Sequence, residues 1–474
     1  MILNLFLLPL RTILCFTSIE IKWRQHTLLH SAASHDDEMM TPTKINANAI
    51  EEPQHSSIVA SQGKTALFML AWPSITTFTL VQGWKNGTTE KLTRSVEEVV
   101  RRNPILGGRA TMTNFFHTKI SIVTGENLDD HFNFVHEIQL DEVASSTISD
   151  MKLPSMNETE IIHFMDDFLA PIVPEALSTY ESIQNQAALF GVYVIQLPND
   201  YACYVMTMSH CIGDGVTYYN IMDEINREMN QQKRDNELDW SHPYIANHEI
   251  FPDRLSPRDV EYSYGFPFFL GLLKNAVNMK KQEMSYIFLD KHKIDVKKQE
   301  LSGLGEGHLS DNDVITAALC AANLSSDMFA FAMNMRDRHS HFGGNFHNEI
   351  PFAKDQALDP RAFRNIVKKG FYYDTNELPI CPFVLGKVGR ISSLASVQKI
   401  IKSSDMESII CHTMLSSFVH NVPLDTAFII SMNEDTYVIP HNFRDIDLDQ
   451  GLINELQCQD DNTRMAGEAT QEIR

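Results

Sequence analysis

The sequence predicts an α/β protein with two domains, and three observations support this class. The chain has 474 residues, more than one ordinary hydrophobic core organises, and this length suits two domains of average size or one large enzyme. Hydrophobic residues make up 43% and charged residues 21%, as in globular proteins. In both halves of the chain, segments with the composition of strands are followed by segments with the helical repeat.

The sequence divides into five consecutive parts. The leader is polar beyond residue 24 and has no periodicity, which predicts a flexible segment. The crossover carries four prolines and no clean pattern, as expected of a connection between domains. The predicted parts are the leader (1–63), a first domain (64–230), the crossover (231–285), a second domain (286–456) and a polar tail (457–474).

The first domain is predicted to begin with a strand and an amphipathic helix. TTFTLV at 76–81 has the β-branched and aromatic composition of a strand. In LTRSVEEVVRR at 92–102, apolar residues fall on one helical face, and Pro104 ends the helix. ILGGRA then enters another extended segment, in which the adjacent glycines indicate a bulge or a close backbone approach.

A β-hairpin and a second helix complete the first domain. AALFGVYVIQ (187–196) and YACYVMTMS (201–209) flank the turn residues Pro-Asn-Asp, which predicts two paired strands. An apolar helical face follows directly. It consists of Tyr218, Ile221, Met222, Ile225 and Met229.

The second domain is predicted to alternate helix and strand. Ser310 and Asp313 form a capping box for a helix over residues 314–323. MFAFAMNMR then reads as a strand, and TAFIISM and TYVIPHNF are the final strands.

Charge, cysteine content and the N-terminus narrow the function and the compartment. The chain carries 39 Lys and Arg against 61 Asp and Glu, a net charge of -22, which opposes binding to nucleic acid. Seven scattered cysteines without a CxxC pair favour reduced thiols and a cytoplasmic location. Arg11 and Pro9 interrupt the apolar N-terminal stretch, so no stable membrane span is expected. Residues 1–20 leave a presequence for an organelle or the secretory route as the alternative.

His210 is the candidate catalytic residue. It lies in SHCIGDG, between the second strand of the predicted hairpin and the following helix. A neutral imidazole there can take a proton from a hydroxyl or amine and return it later. Asp214 either orients His210 or pairs with an arginine, and we favour the second. The structural alternative is a hydrogen-bonded loop histidine followed by an aspartate that caps the helix.

Four ordered segments resemble CoA-dependent acyltransferases, in particular the plant-type BAHD enzymes. SHCIGDG is similar to their HxxxDG motif, and LTRSVEEVVRRNPILGGRA to their early helix and "P-x-L-A-G-R" turn. LSDNDVITAALCAAN, FAMNMRDR and HFGGN follow one another as do the family's second-domain helix, "N-x-R-x-R" strand and "F-G-N" turn. Position 209 is serine, whereas condensation domains usually have a second histidine there. The DFGWG segment typical of BAHD enzymes is not found, so the resemblance is to a divergent member.

The resemblance implies a fold and roles for individual residues. It implies two related chloramphenicol acetyltransferase-like α/β domains with mixed sheets, and a channel between them that acyl-CoA and the acceptor enter from opposite sides. His210 would be the general base, Asp214 the partner of an arginine, and Gly215 the small residue that close packing requires.

The strand pattern independently indicates Arg336 as the partner of Asp214. Alternation in MFAFAMNMR places Arg336 on one face with Ala330, Ala332 and Asn334. An arginine beside alanines can approach another element closely. A solvent-facing arginine is the alternative.

The remaining candidate residues rest on single features of the sequence. Seven lysines between 274 and 298 locally reverse the acidic balance, and we predict that Lys280, Lys281, Lys297 and Lys298 meet the phosphates of CoA; a solvated surface is the alternative. Ser416 and Ser417 are candidate donors to the oxyanion. His339, His341 and His347 have no obvious companion ligand, so no metal is expected.

The predicted activity is transfer of an acyl group from acyl-CoA to a hydroxyl or amine of a small molecule. Acyl-CoA would be a co-substrate, and no permanently bound cofactor and a monomer are expected. Two alternatives remain: condensation with a carrier-bound acyl group, and a catalytically silent scaffold that binds a ligand or partner.

Overall fold

The computed structural model describes most of the chain from residue 56 to residue 458. The described residues are 56–62, 74–113, 119–124, 133–140, 146, 148, 153–174, 177, 179–185, 187–232, 238–240, 270, 271, 274, 284–302, 308–334, 336, 341–369, 381–404, 406–415, 425–449 and 451–458.

Two sheets lie in the first part of the chain. The larger has five strands in the order β12-β2-β7-β6-β5, and the smaller has the order β1-β4-β3. Their strands are β1 (Ser56–Gln62), β2 (Ile75–Gln82), β3 (Arg109–Thr113), β4 (Lys119–Thr124), β5 (Val135–Ile138), β6 (Phe190–Leu197), β7 (Tyr201–Met208) and β12 (Ser408–Thr413). Only the pair of β5 and β6 is parallel in the five-stranded sheet, which is therefore mixed.

A six-stranded mixed sheet dominates the second part, in the order β10-β9-β11-β13-β14-β8. Its strands are β8 (Ser285–Asp290), β9 (Met328–Asn334), β10 (His347–Ala353), β11 (Val388–Ser393), β13 (Asp425–Ser431) and β14 (Thr436–His441). The central strand β11 is parallel to both of its neighbours, whereas the outer pairs are antiparallel.

Nine α-helices are described, and none of them is long and apolar enough to cross a membrane. They are α1 (Thr88–Arg102), α2 (Glu158–Phe164), α3 (Thr179–Asn185), α4 (Gly215–Met229), α5 (Lys291–Ser302), α6 (Asp311–Ala322), α7 (Pro360–Lys369), α8 (Cys381–Leu385) and α9 (Gly451–Leu456).

Local sequence signals determine the elements next to the site. β6 and β7 form the predicted antiparallel hairpin, and its turn places Asn199 and Asp200 at φ 60°, a conformation that these two residue types tolerate better than most. The predicted capping box of Ser310 and Asp313 is present at the start of α6. α1 buries Leu92 and its helical neighbours, as the apolar repeat predicts.

Each large sheet has its own hydrophobic core. The first core joins the five-stranded sheet with α1 and α4. The second core lies on one face of the six-stranded sheet, beneath α5, α6 and α9. The opposite face of that sheet turns toward the first core, which contains Ile430 of β13 and Val438 of β14. The predicted mixed α/β class is confirmed.

Two strand pairings bear on the boundaries taken from the sequence, which stay predictions. β1 lies within the predicted leader, residues 1–63, and pairs with β4. β12 lies within the predicted second domain, residues 286–456, and pairs with β2 in the first sheet. Periodicity identifies a strand but not the sheet that it joins, so these long-range pairings were missed.

Candidate active site

The loop that carries the candidate base His210, residues 209–214 and called the catalytic loop below, connects the end of β7 to the start of α4. The backbone N–H of Ser209 donates to the carbonyl of Leu189 at 2.7 Å, and that of Ile212 donates to Ser209 at 3.0 Å. His210 therefore projects from a short turn held at both ends. The residue is largely buried, with 8% of its surface exposed. A channel reaching the ring from both sides stays a prediction.

Asn345 fixes the imidazole of His210 through two contacts. Its side-chain nitrogen donates to the His210 carbonyl at 2.8 Å, which orients the amide and leaves Oδ1 facing the ring. Oδ1 lies 3.1 Å from Nδ1 of His210. Because an amide oxygen only accepts, the proton of a neutral imidazole sits on Nδ1, and Nε2 carries the lone pair.

Asp214 both caps α4 and pairs with an arginine. Its Oδ1 accepts from the backbone N–H of Thr217 at 3.0 Å and so caps α4. Its two oxygens also accept from the two terminal nitrogens of Arg336, each at 2.8 Å. The ion pair predicted from the alternation of β9 is therefore present, and Asp214 does not orient His210 through these contacts.

Arg336 is the centre of a buried network that joins the two parts of the chain. Its side chain is fully buried and lies 4.9 Å from the ring centroid of Phe346. It donates to Thr217 Oγ1 at 2.7 Å and to the carbonyls of Gly344 at 2.7 Å and Phe342 at 2.8 Å. A buried guanidinium is tolerated only when its charge and donors are satisfied in this way.

The same network holds the turn that carries Asn345. The backbone N–H of Phe346 donates to Oδ2 of Asp214 at 2.9 Å, and Gly344 sits at φ 126°, where a side chain would be strained. Asp214 thus fixes both the loop that bears His210 and the turn that bears its partner Asn345. The ion pair therefore affects the position of His210 only indirectly, through this loop and this turn.

Gly215 lies at a close approach between the two parts of the chain. A Cβ atom added there would be 2.5 Å from Cδ2 of Leu394, which follows β11. This contact agrees with the predicted need for a small residue. The effect of enlarging it on activity stays a prediction.

The crossover supports the Asn345 turn from outside. Asp239 exchanges backbone hydrogen bonds of 2.9 Å with His341 and Gly343. The next residue, Trp240, donates from its indole to Asn103 Oδ1 at 2.7 Å, at the end of α1. Nothing in the crossover's composition indicated these contacts.

Two of the four predicted CoA-binding lysines, Lys297 and Lys298, are described, and both pair with carboxylates. Lys297 lies 2.7 Å from Glu455, and Lys298 pairs with Asp295 and Asp311. Both are on α5, which covers the face of the second sheet that carries Phe329 and Phe331. Their binding to CoA stays a prediction, and carboxylates already offset their charge. Lys280, Lys281, Ser416 and Ser417 lie outside the described residues.

In the part of the chain that the structure describes, no group of three or more His, Cys, Asp or Glu side chains is placed to hold a metal ion. His339 and the side chain of His347 are outside that part.

A second buried histidine, His412, lies in β12 and was missed. Its Nδ1 is 2.8 Å from Thr79 Oγ1, and its Nε2 is 2.9 Å from the Tyr219 hydroxyl. Burial lowers the pKa of His412 to about 3. The neutral ring thus links β12 to β2 and to α4, the helix that follows the catalytic loop.

The arrangement around His210 suits proton transfer. A neutral imidazole with one nitrogen held by an amide can accept a proton at the other nitrogen and return it later. The loop is fixed on both sides, so this accepting position is preorganised.

Comparisons with known proteins detect the fold but no close relative. Neither the models of protein families nor the curated protein sequences contain a match to this chain. Among solved structures, vinorine synthase is similar at 12% identity and a TM-score of 0.51, over 85% of this chain and 99% of that one.

Two further structures have the same fold. TRI101 of F. sporotrichioides, complexed with coenzyme A and T-2, has 10% identity and a TM-score of 0.50 over 82% of this chain and 96% of that one. The first condensation domain of the CDA synthetase has 10% identity and a TM-score of 0.51, over 80% of this chain and 90% of that one. At the level of fold, the resemblance drawn from the sequence motifs is confirmed: the chain is a divergent protein with the two-domain, chloramphenicol acetyltransferase-like fold.

Proposed function

We propose that the protein transfers an acyl group from acyl-CoA to a hydroxyl or amine of a small-molecule acceptor. The observation that carries the proposal is the pair of contacts by which Asn345 holds His210 with Nδ1 protonated. The fold supports it, since TRI101, which shares the fold, was crystallised with coenzyme A.

In the proposed reaction both substrates are bound together. Nε2 of His210 takes the proton from the acceptor as its oxygen or nitrogen attacks the thioester carbonyl, and a tetrahedral oxyanion forms. The oxyanion collapses, the carbon–sulfur bond breaks, and the imidazolium returns the proton to the CoA thiolate. The products are the ester or amide and free CoA thiol, so no other reactant is needed.

The roles of the neighbouring residues follow from their contacts. Asn345 holds the tautomer of the base, and the ion pair of Asp214 and Arg336 keeps the catalytic loop and the Asn345 turn together. Acyl-CoA is a co-substrate in this scheme, and no resident cofactor is required.

Release of free thiol tests the proposal. The purified chain is incubated with a panel of acyl-CoAs and simple alcohols and amines, beside His210→Ala and the control His163→Ala, whose imidazole is exposed on α2. We expect turnover by the wild type and the control, and a fall of about 10² to 10⁴ in His210→Ala.

Two results would contradict the proposal. Binding of CoA without turnover under any pairing would indicate a silent scaffold. Turnover that survives in a folded His210→Ala variant would show that another group is the base.

A further inference from the structure

A second buried ion pair lies outside the network around Arg336. Glu349 of β10 and Arg390 of β11 form it, and the two residues are 7% and 6% exposed. Charged side chains are seldom buried to this degree, because removal from water costs several kcal/mol per ion unless the partner compensates. The burial of these two charges therefore requires an explanation, and their location in the sheet provides one.

The alanines of β9 make this ion pair sterically feasible. β9 lies between β10 and β11, with Ala332 opposite Glu349 and Ala330 opposite Arg390. Two strand spacings of about 9.6 Å and an offset of two residues, about 6.6 Å, separate the two Cα atoms by roughly 12 Å. A long guanidinium side chain and a glutamate bridge this distance if nothing bulky stands between them. Ala330 and Ala332 leave that space.

The pair lies on the face of the second sheet that turns toward the first core. The opposite face carries Phe329, Phe331 and Ile350, which belong to the second core. Because side chains alternate along a strand, Glu349 and Arg390 point away from that core. Farther along the same inward face, Ile430 and Val438 pack into the first core.

Both strands lead from the pair to the catalytic loop. Glu349 is four residues, or about 13 Å of strand, from Asn345, which contacts His210. Arg390 is also four residues from Leu394, whose side chain meets the position of Gly215. The pair thus lies about 13 Å along the sheet from the two residues that contact the catalytic loop or the start of α4.

The inward face is less covered next to the pair than elsewhere. Ile430 and Val438 are fully buried. Ser392, Ala332 and Phe428, which lie in one row with Glu349, are only half-buried. Ala332 and Ser392 are small and partly exposed, so they leave room beside the ion pair, and the pair itself offers a polar contact.

We infer that Glu349 and Arg390 bind a neutral hydrogen-bonding group, an amide or a hydroxyl, of a substrate that reacts at His210. The inference rests on the proposed function. The pair has no net charge but a strong dipole, and bonds to charged partners are stronger than bonds between neutral groups. A charged ligand would instead displace one partner and leave the other charge buried, which is costly.

Two sources supply this chemistry, the amides of the pantetheine arm of CoA and the acceptor itself. Glu349→Met with Arg390→Met replaces the pair by apolar side chains of similar size, an exchange that proteins often tolerate. Ser392→Leu keeps the pair but fills the space beside it. The control removes a less buried pair of the same residue types on α1, through Glu98→Met with Arg101→Met, whose side chains are 30% and 66% exposed.

Calorimetry with CoA and the KM of the best acceptor separate the sources. For both test variants we expect a tenfold to hundredfold rise either in the dissociation constant for CoA or in the acceptor KM. The urea midpoint of unfolding should stay unchanged. A weaker affinity for CoA assigns the pair to the pantetheine arm, and a raised acceptor KM alone assigns it to the acceptor.

Failures of the site and of the proposed function are distinguishable. Suppose that the wild type turns over and both test variants stay within twofold of it in CoA affinity and acceptor KM. Binding of a substrate group by Glu349 and Arg390 is then refuted, while the proposed function stands. If Glu349→Met with Arg390→Met does not fold, Ser392→Leu decides the matter. A wild type that neither binds CoA nor releases thiol overturns the proposed function and this site together.

Discussion

Two buried histidines illustrate how one side chain serves two purposes in this fold. His412 lies in a strand, and both of its ring nitrogens contact hydroxyl groups, those of Thr79 and Tyr219. His210 lies in a loop, with its Nδ1 facing the Asn345 amide. The region around His412 in β12, called the exchange-strand region, joins the two parts of the chain. The catalytic-loop region around His210 positions the proposed base. The difference lies in what surrounds each ring, since both are buried.

The largest expected effect is loss of the ion pair in the catalytic-loop region. Arg336→Met leaves Asp214 buried without its cationic partner, and we expect the free energy of unfolding to fall by about 3 to 5 kcal/mol. Urea denaturation measures the change. The control Arg101→Met breaks an exposed pair with Glu98 and is expected to cost less than about 1 kcal/mol. Equal losses in the two variants would show that the buried network does not hold the loop.

The exchange-strand region is tested by His412→Phe. The replacement keeps the volume but removes both contacts with hydroxyl groups, and we expect a loss of about 2 to 3 kcal/mol. Thiol release by the folded variant should stay near the wild-type rate, because His412 does not contact the catalytic loop in the proposed mechanism. A stable but inactive variant would contradict the separation of the two regions.

Acid should weaken the fold through its buried histidines. Burial lowers the pKa of His412 to about 3 and that of His441 to about 4, the latter against the opposing effect of Asp425. The unfolded chain protonates both near their ordinary value of about 6.5, so it binds more protons than the fold between pH 6.5 and 4. The free energy of unfolding therefore falls as the pH is lowered through this window.

Denaturation between pH 7 and pH 5 measures this dependence, above the ordinary range of the carboxylates. We expect a loss on the order of 1 to 2 kcal/mol for each histidine. The dependence should be shallower in His412→Phe. An identical slope in that variant would show that His412 already titrates normally in the fold.

The smallest expected effect is on Asn345. Asn345→Ala removes the contact with Nδ1 of His210, and we expect kcat to fall roughly tenfold while the affinity for CoA is unchanged. The pH profile of kcat should also shift, which a purely structural role would not produce. Asn454→Ala, exposed on α9, is the control. An unchanged kcat in Asn345→Ala would remove Asn345 from the mechanism.

The sequence predicted the elements of the catalytic loop because their signals are local. The hairpin, α4 and the alternation that selects Arg336 each depend on neighbouring residues. The sequence indicates Asn345 only as part of the HFGGN turn, since nothing local shows that a residue 135 positions away contacts His210. The available signal was that Asn345, which has an amide side chain, lies in a glycine-containing turn soon after the predicted strand that carries Arg336.

The missed features all depend on long-range pairing. β12 was not predicted, and its partner β2 lies more than 300 residues earlier in the chain. His412 could therefore not be placed, and neither could the ion pair of Glu349 and Arg390, which spans a strand. Lys297 and Lys298 were singled out by their charge, and two of the four carboxylates that pair with them, Glu455 and Asp311, come from other elements.

The tautomer of His210 is the most direct test of the account. ¹⁵N NMR of histidine-labelled protein at pH 8, with the His210 signals assigned by their absence in His210→Ala, reports which ring nitrogen is protonated. We predict a protonated Nδ1 and an unprotonated Nε2 in the neutral ring. A proton on Nε2 instead would contradict the role of Asn345 and leave Nε2 without the lone pair that the proposed base requires.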